Sequence, residues 1–205
     1  MKLYFSPGAC SLSPHIVLNE AGLSFDSETV DLANKKTQSG ADYRAINPKG
    51  AVPALQLDNG QVLTEGSAIV QYIADQKPAT KLAPAAGTLE RYRLQEWLNY
   101  IASEIHKGFS PLFNPKASEE WKQVIKDQLA AKFDYLSKHL QGKDYLLGTF
   151  SVADAYLFTI LGWGKYFNID MAKWPTLASY MERVGSRPAV KATLEAEAKA
   201  KAKAA

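Results

Sequence analysis

Of all features of this sequence, the dipeptide Asn59-Gly60 between two short apolar runs constrains the possible folds most strongly. The run Val52-Pro53-Ala54-Leu55-Gln56-Leu57 precedes it, and Val62-Leu63 follows it. Both central residues of a two-residue hairpin turn adopt positive φ, which Asn and Gly tolerate better than other residues do. The sequence therefore predicts two antiparallel strands that are joined at this dipeptide.

The segments around the hairpin predict a compact α/β domain. The expected elements are strand Lys2–Phe5, helix Ser11–Ala21, strand Phe25–Val30, a polar loop over Asp31–Gly40, short helix Ala41–Ile46, the hairpin and helix Ala68–Asp75. A strand, a helix and a second strand in this order favour a parallel pair with a right-handed crossover. The order βαβ and then ββα, in the first 77 residues, is that of a thioredoxin-like domain.

A segment rich in Pro, Ala and Gly, residues 78–88, predicts a linker to a second domain over residues 89–205. That domain is expected to be all-helical, with helices over Leu89–Ser110, Ser118–Gln141, Ser151–Phe167 and Thr176–Gly185 and one more after Pro188. The tail from about residue 195 alternates Ala with Lys or Glu and has no apolar face. We therefore expect the tail to fray or to be disordered.

The composition excludes several classes of protein. The net charge is only +3, without a basic stripe, so nucleic acid is not an expected partner. The single cysteine excludes an internal disulfide framework and a multi-cysteine metal site, and it fits a reducing compartment. No apolar run is long enough to span a membrane, and the N-terminus does not resemble a signal peptide. A cytoplasmic protein without a metal is expected.

Cys10 lies where the first loop becomes the first predicted helix. Unpaired N–H groups and a partial positive charge at a helix N-terminus make a thiol easier to ionise, and the thiolate is the reactive form. The alternative is a small buried apolar residue, which describes most lone cysteines. Because Ser13 replaces the second cysteine of a C-x-x-C pattern, any disulfide of Cys10 must form with an outside thiol.

Two further segments could bind a small ligand. Pro53 precedes a predicted strand, where a cis bond would turn the backbone of Val52 toward a ligand; a plain strand start is the simpler interpretation. At Glu65-Gly66-Ser67, helix N–H groups could bind a carboxylate while Glu65 pairs with an ammonium, which together recognise an α-amino-acid head group. Plain capping by Thr64 or Ser67 explains the same residues. Lys35 or Lys36 could hold a second carboxylate or could be surface charge.

The long predicted helix of the second domain carries Asn99, Ser103 and His106 at spacings of four and three residues, which places them in one stripe. This stripe is either a solvated face or one that faces the Cys10 loop across a cleft, where His106 could serve the thiolate. Ser151 and Asp154 form a capping-box variant, so Asp154→Ala should lower stability by about 1 kcal/mol.

These pieces together resemble a bacterial glutathione S-transferase of the beta class along essentially the whole chain. The residues that carry the resemblance are the stretch from Lys2 to His15, Asn47 to Pro53, Thr64-Glu65-Gly66, Glu96 to Asn99, Ser103 to Gly108 and Ser151 to Tyr156. The resemblance implies the glutathione transferase fold, a thioredoxin-like N-terminal domain and an all-α C-terminal domain, in a cytosolic homodimer.

The resemblance also implies a glutathione site, with glutathione as co-substrate. Cys10 would meet the glutathione sulfur, and Val52, before a cis-Pro53, would pair with the cysteinyl backbone. Glu65 and Gly66 would hold the γ-glutamyl group, with Ser67 one residue beyond, and Lys35 would hold the glycyl carboxylate. The helical domain would add Ser103, Glu104, Ile105 and His106, while Asn99 reaches the partner subunit's site.

The implied activity is the transfer of glutathione to a hydrophobic electrophile, together with thiol-disulfide exchange through Cys10. Ser11, Cys10 and His106 could each polarise the glutathione thiolate. Phe109, Phe113, Trp163 and Tyr166 would shape the pocket for the electrophile. The alternative function is a non-enzymatic module of the same fold that binds partner proteins.

Overall fold

The structure is a computed structural model that describes residues 1–204. The contacts between backbone segments divide the chain into two compact units. One unit contains Met1–Ala83 and the C-terminal segment that begins at Arg187, and the other contains Pro84–Ser186. The division after Ala83 falls inside the predicted linker, residues 78–88. The sequence assigned the C-terminal segment to the helical domain, whereas in the structure its helix packs against the first helix of the N-terminal unit.

A five-stranded mixed sheet forms the centre of the first unit, in the order β3-β2-β1-β4-β5. The strands are β1 (Lys2–Phe5), β2 (Asp26–Asp31), β3 (Lys36–Thr37), β4 (Ala54–Gln56) and β5 (Val62–Thr64). Strand β1 runs parallel to β2 and antiparallel to β4, and β4 pairs antiparallel with β5. The predicted βαβ unit and the predicted hairpin are therefore both present.

The sheet differs from the sequence prediction at two places. Residues Lys36–Thr37 form the edge strand β3 against β2, inside the segment that was predicted to be a loop. At the hairpin, Gly60 has a φ of 84°, whereas Asn59 does not have the positive φ that was predicted. The N–H of Leu57 donates to the Gln61 carbonyl and that of Gly60 to the Leu57 carbonyl. This longer loop needs only one left-handed residue, at its last position.

Among residues 1–204, the first unit has four α-helices: α1 (Leu12–Glu20), α2 (Tyr43–Ile46), α3 (Gly66–Gln76) and α9 (Pro188–Ala204). Helix α1 is buried from Leu12 to Leu18 and packs against α3 and α9. Tyr43 of α2 belongs to a separate apolar cluster with Tyr4, Val30 and Val52. This cluster fixes the segment before β4 next to the strand that leads to Cys10.

Helix α9 corrects the prediction that the tail frays from about residue 195, because it is helical as far as Ala204. Val190, Thr193 and Glu197 are buried and recur at helical spacing on one side of α9. Glu197 accepts a hydrogen bond from the Gly8 N–H at 2.8 Å and lies 3.0 Å from Nδ1 of His15 in α1. A buried carboxylate therefore anchors the helix, a contact that an apolar pattern does not reveal.

The described residues of the second unit contain helices and no strand. Its elements are α4 (Leu89–Tyr100), a π-helical segment (Ile101–His106), α5 (Lys107–Phe109), α6 (Glu119–His139), α7 (Val152–Leu161) and α8 (Pro175–Gly185), with short 3-10 segments at Ser110–Phe113, Gly162–Phe167 and Met171–Lys173. The predicted helix Leu89–Ser110 is thus interrupted by a π-helical segment. Across residues 1–204, no helix combines the length and apolar character that crossing a bilayer requires.

The capping box before α7 is present and extends into a buried network. Asp154 accepts hydrogen bonds from the N–H and hydroxyl of Ser151, both at 2.9 Å. It also accepts from the Leu146 N–H at 2.9 Å and from the Tyr180 hydroxyl at 3.1 Å. Burial raises the pKa of Asp154 despite these donors. The residue therefore ties α7, α8 and the loop before α7 together.

Candidate functional site

The loop between β1 and α1 places Cys10 one residue before Ser11, the N-cap of α1. The N–H of Ala9 donates to the Ser6 carbonyl, and that of Leu12 donates to the Ala9 carbonyl. Cys10 is half-buried, and its thiol donates to the carbonyl oxygen of Val52 at 3.2 Å. The thiol and the backbone of Val52, two separate parts of the predicted site, are therefore in contact.

Ser11 braces this loop from inside. Its side chain is fully buried, and its hydroxyl accepts from the Ser6 N–H at 3.1 Å and donates to the Ser6 carbonyl at 3.2 Å. The single proton of this hydroxyl is therefore directed at the protein backbone. Of the two neighbouring candidates, Ser11 is fully buried and Cys10 is only partly buried.

Two side-chain hydrogen bonds hold the backbone next to Val52. The Val52-Pro53 peptide bond is cis, as the family resemblance implied. The carbonyl of Ala51 accepts from the Asn47 side-chain amide at 2.7 Å and from the Tyr43 hydroxyl at 2.9 Å. Burial raises the pKa of Tyr43 to about 12, so the hydroxyl keeps its proton and remains a donor. The backbone edge at Val52 is thus rigidly supported before β4 begins.

Glu65 occupies the N-cap position of α3 with a φ of 71°, without a side-chain capping bond. Residues other than Gly rarely adopt this conformation, and such positions cluster at functional sites. The expected caps, Thr64 and Ser67, do not occupy this position. The Glu65 carboxylate is largely exposed at the start of α3, whose first residues are Gly66 and Ser67. A carboxylate and a helix N-terminus therefore lie side by side, as an α-amino-acid head group requires.

Lys49 is a candidate site residue that the sequence reasoning missed. Its ammonium pairs with Glu65 and donates to the Thr64 hydroxyl at 2.9 Å. Its position between Pro48 and Gly50, inside the stretch Asn47 to Pro53 that carries the family resemblance, was the available indication. Lys35 has a φ of 56°, and its ammonium donates to the Gly50 carbonyl at 2.9 Å. The predicted anchor Lys35 thus lies close to the Val52 segment.

The predicted polar stripe of the second unit begins at the end of α4 and continues into the π-helical segment. Asn99, Ser103 and Glu104 are exposed, whereas Ile105 is buried. The Ser103 hydroxyl donates to the Asn99 carbonyl at 3.0 Å, and Glu104 pairs with Lys132 of α6 at 2.9 Å. These side chains are therefore partly engaged by their own unit.

His106 ends the π-helical segment, and such segments often occur at functional sites. Its Nδ1 lies 2.7 Å from the hydroxyl of Tyr156, and its ring meets the edge of the Trp163 ring at a centroid distance of 5.0 Å. Helix α7 and the segment that follows it therefore fix the orientation of the imidazole. A histidine held in this way is suited to hydrogen bonding or proton transfer near neutral pH.

Three of the four aromatic residues predicted for the electrophile pocket come together. Trp163 makes edge contacts with Phe109 and Phe113 at centroid distances of 5.9 and 5.2 Å. Phe109 is fully buried, so it belongs to the core under the cluster, while Phe113 is half exposed. Tyr166 is also half exposed and contacts the ammonium of Lys165.

The described residues contain no group of three or more His, Cys, Asp or Glu side chains that could hold a metal ion. What the first unit brings together at the candidate site is a thiol, paired charges and backbone hydrogen bonds.

Two family models match the chain, "Glutathione S-transferase, N-terminal domain" over residues 8–76 and "Glutathione S-transferase, C-terminal domain" over residues 100–188. The chain is 46% identical to the glutathione S-transferase GstA of Escherichia coli O157:H7, over 96% of this chain and 98% of the relative.

Two solved structures are similar over almost their whole length. A sphingomonad glutathione S-transferase complexed with glutathione is 51% identical with a TM-score of 0.94, covering 97% of this chain and 99% of that one. A bacterial beta class glutathione S-transferase from Sphingomonas chungbukensis is 50% identical with a TM-score of 0.94, covering 96% and 98%.

Proposed function

The chain belongs to the glutathione S-transferase family, and from this premise we propose that Cys10 is the residue that meets the glutathione sulfur. The chain is a transferase with glutathione as co-substrate. The contact between the Cys10 thiol and the Val52 carbonyl, at 3.2 Å, carries the proposal. It places a partly exposed thiol against a rigid backbone edge that is suited to pair with an extended peptide.

The remaining parts of glutathione have partners in the first unit. Glu65 takes the ammonium of the γ-glutamyl group, and the first turn of α3, at Gly66 and Ser67, takes its carboxylate. Because Lys49 already pairs with Glu65, the ligand ammonium must share this carboxylate or displace the lysine. Lys35, fixed beside Gly50, takes the glycyl carboxylate.

Two reactions follow from this arrangement. In conjugation, the glutathione thiolate attacks an electrophilic carbon, a C–S bond forms, and the leaving group departs with its electron pair. In exchange, the Cys10 thiolate attacks the glutathionyl sulfur of a mixed disulfide and releases the substrate thiolate. A second glutathione thiolate then attacks the Cys10–glutathione disulfide, which forms glutathione disulfide and restores Cys10. A lone cysteine suits the second reaction, because the chain has no other thiol that could attack the Cys10–glutathione disulfide and glutathione itself must do so.

We also propose that the helical unit supplies Ser103, Glu104, Ile105 and His106 to the glutathione site and that Asn99 reaches the site of the partner subunit. The fixed orientation of His106, through Tyr156 and Trp163, supports a direct role of its imidazole. His106→Ala should then lower kcat more than it raises KM for glutathione. Tyr156→Phe, which removes only the orienting hydroxyl, should show the same split to a smaller degree. Unchanged kcat in both variants would remove His106 from the reaction.

A homodimer fits the exposed apolar side chains of the helical unit. Leu89 and Tyr92 on α4, and Trp121, Val124 and Tyr135 on α6, are each at least 43% exposed. Large apolar side chains grouped on two helices are typical of an interaction surface.

The second substrate is a hydrophobic electrophile, for which the aromatic cluster around Trp163 supplies apolar surface. A reducing, cytoplasmic setting keeps the single thiol available.

The test compares Cys10→Ala with the unmodified chain in two assays, conjugation of 1-chloro-2,4-dinitrobenzene and reduction of a glutathionylated peptide. We expect Cys10→Ala to lose peptide reduction entirely and still to bind glutathione-agarose. Peptide reduction that survives the substitution would show that Cys10 is not the exchange nucleophile. An unmodified chain that neither binds the resin nor turns over either substrate would instead favour the non-enzymatic module.

A further inference from the structure

The hydroxyl of Ser13, in the first turn of α1, is fully buried and has no hydrogen-bond partner among residues 1–204. A buried polar group without a partner costs free energy, so such groups are rare in folded proteins. The hydroxyl of Ser11, two residues earlier, is buried too but bonds twice to the backbone of Ser6. Ser13 therefore holds an unused proton donor three residues after Cys10.

The backbone brings Ser13 next to Cys10. The Ser13 N–H donates to the Cys10 carbonyl at 3.2 Å, which closes a tight turn over four residues. Such a turn holds its first and last Cα atoms within about 7 Å, and side chains three residues apart in a helical turn lie on one face. A disulfide needs Cα atoms within about the same distance. The Ser13 oxygen thus occupies the position of the second sulfur in a C-x-x-C pattern.

The hydrogen bond that Cys10 makes favours its thiol form. The thiol donates its only proton to the Val52 carbonyl at 3.2 Å, and a bond of this kind to the neutral form of an acid disfavours ionisation. A thiolate has no proton for this carbonyl and needs donors instead. The proton of Ser11 is already donated to a backbone carbonyl, as is that of Tyr43. The hydroxyl of Ser13 has no acceptor, so its proton is available to the sulfur.

We propose that the Ser13 hydroxyl donates to the Cys10 thiolate and is a positioning residue for the exchange reaction. When the thiol loses its proton, the sulfur turns from the Val52 carbonyl to Ser13, and the buried hydroxyl gains the acceptor that it lacks in the thiol form. A hydrogen bond to the charged form stabilises that form, so Ser13 increases the fraction of thiolate that can attack a disulfide. This inference rests on the proposed role of Cys10 in exchange.

The test measures how fast iodoacetamide alkylates the chain between about pH 5 and pH 10, without glutathione. The rate follows the thiolate fraction, and the chain has one cysteine, so the midpoint reports the ionisation of Cys10. Ser13→Ala should raise the midpoint by about one pH unit and slow alkylation roughly tenfold below it. Thr159→Val, which removes a buried hydroxyl from α7, is the matched control and should leave the midpoint unchanged.

Other titratable groups near this loop do not account for a difference between the variants. Tyr43 interacts electrostatically with Cys10, and burial raises the pKa of Tyr43 to about 12, above the pH range of the assay. His15, later in α1, contacts Glu197 at 3.0 Å. Because all of these groups are present in every variant, a shift confined to Ser13→Ala belongs to the missing hydroxyl.

Stability separates this role from a merely structural one. Urea unfolding at a pH below the alkylation midpoint compares the thiol forms, in which the Ser13 hydroxyl is unpaired. Ser13→Ala should therefore unfold at the same or a higher urea concentration than the unmodified chain. A hydroxyl that served packing or backbone bonding would instead leave the variant less stable, and that result would contradict the proposal.

Ser13→Cys tests whether position 13 faces Cys10. With oxidised glutathione, the Cys10 thiolate attacks one sulfur and releases a glutathione thiolate; the introduced thiolate then attacks the Cys10–glutathione disulfide and releases the second. We expect an internal disulfide, seen by mass spectrometry as the loss of two hydrogens without added glutathione. The unmodified chain should keep one glutathione.

Equal alkylation midpoints in Ser13→Ala and Thr159→Val would overturn the proposal. A Ser13→Cys chain that keeps its bound glutathione and forms no internal disulfide would also overturn it, since position 13 would then not face the sulfur. The Cys10→Ala assay tests the exchange role separately, because alkylation uses neither glutathione nor the glutathionylated peptide.

Discussion

Removing the Glu197 carboxylate should destabilise the first unit far more than an ordinary change in a charged tail. Glu197 is only 4% exposed, and it accepts from the Gly8 N–H at 2.8 Å and contacts His15 Nδ1 at 3.0 Å. Hydrogen bonds to charged groups contribute about 1.5–3 kcal/mol each. The variant no longer has to remove a carboxylate from water when it folds, and this offsets part of the loss. We therefore expect Glu197→Ala to lower the free energy of unfolding by about 3 kcal/mol.

The matched control is Glu195→Ala, which makes the same substitution at an exposed position of the same helix. Urea unfolding is followed by far-ultraviolet circular dichroism, because all four tryptophans lie in the other unit and their fluorescence would report on that unit. Glu197→Gln keeps one carbonyl acceptor and should cost about 1 kcal/mol. The tail should also become sensitive to trypsin at Lys199 and Lys201 in Glu197→Ala, since α9 loses its anchor.

The reasoning fails if Glu197→Ala and Glu195→Ala unfold at the same urea concentration and their tails are cleaved at the same rate. That result would mean that the packing of α9 against α1 holds the helix without the carboxylate.

Asp154→Ala should lower the free energy of unfolding by about 3 kcal/mol rather than the 1 kcal/mol of a simple cap, because Asp154 accepts hydrogen bonds from three residues. Urea unfolding measures this loss, and activity per folded molecule should be unchanged. Burial raises the pKa of Glu28, but hydrogen bonds from Lys2 and Ser39 outweigh it and lower that pKa to about 2. Glu28 therefore contributes to the free energy of unfolding above pH 4.5, and this contribution is lost as the pH falls toward 2. After a discount for solvent screening of Lys2, Glu28→Gln should remove on the order of 2 kcal/mol of this pH dependence. Unfolding at a series of pH values tests this expectation. Tyr92→Glu should convert the proposed homodimer to monomers in sedimentation, whereas Tyr166→Glu, at another largely exposed tyrosine, should not.

In the first unit, the sequence predicted the elements around Cys10 where neighbouring residues determine the backbone conformation. The strand, loop and helix around Cys10 follow from apolar periodicity and helix-start chemistry, and the family motifs added the cis-Pro53. The contact between Cys10 and Val52 joins residues 42 positions apart, so periodicity alone could not predict it. Lys49 was missed for the same reason, since its partner Glu65 lies 16 residues away.

By itself the sequence determined the order of elements, the hairpin at Asn59-Gly60, the change to an all-helical second unit and the family to which the chain belongs. The first three depend on residue spacing and turn geometry, which act within a few positions along the chain, whereas the family follows from the resemblance of the motifs. Only the tertiary structure decided that the tail is a helix and which unit it belongs to. The reason is physical: a single buried carboxylate, Glu197, meets Gly8 and His15 more than 180 residues earlier, and no local pattern encodes that contact.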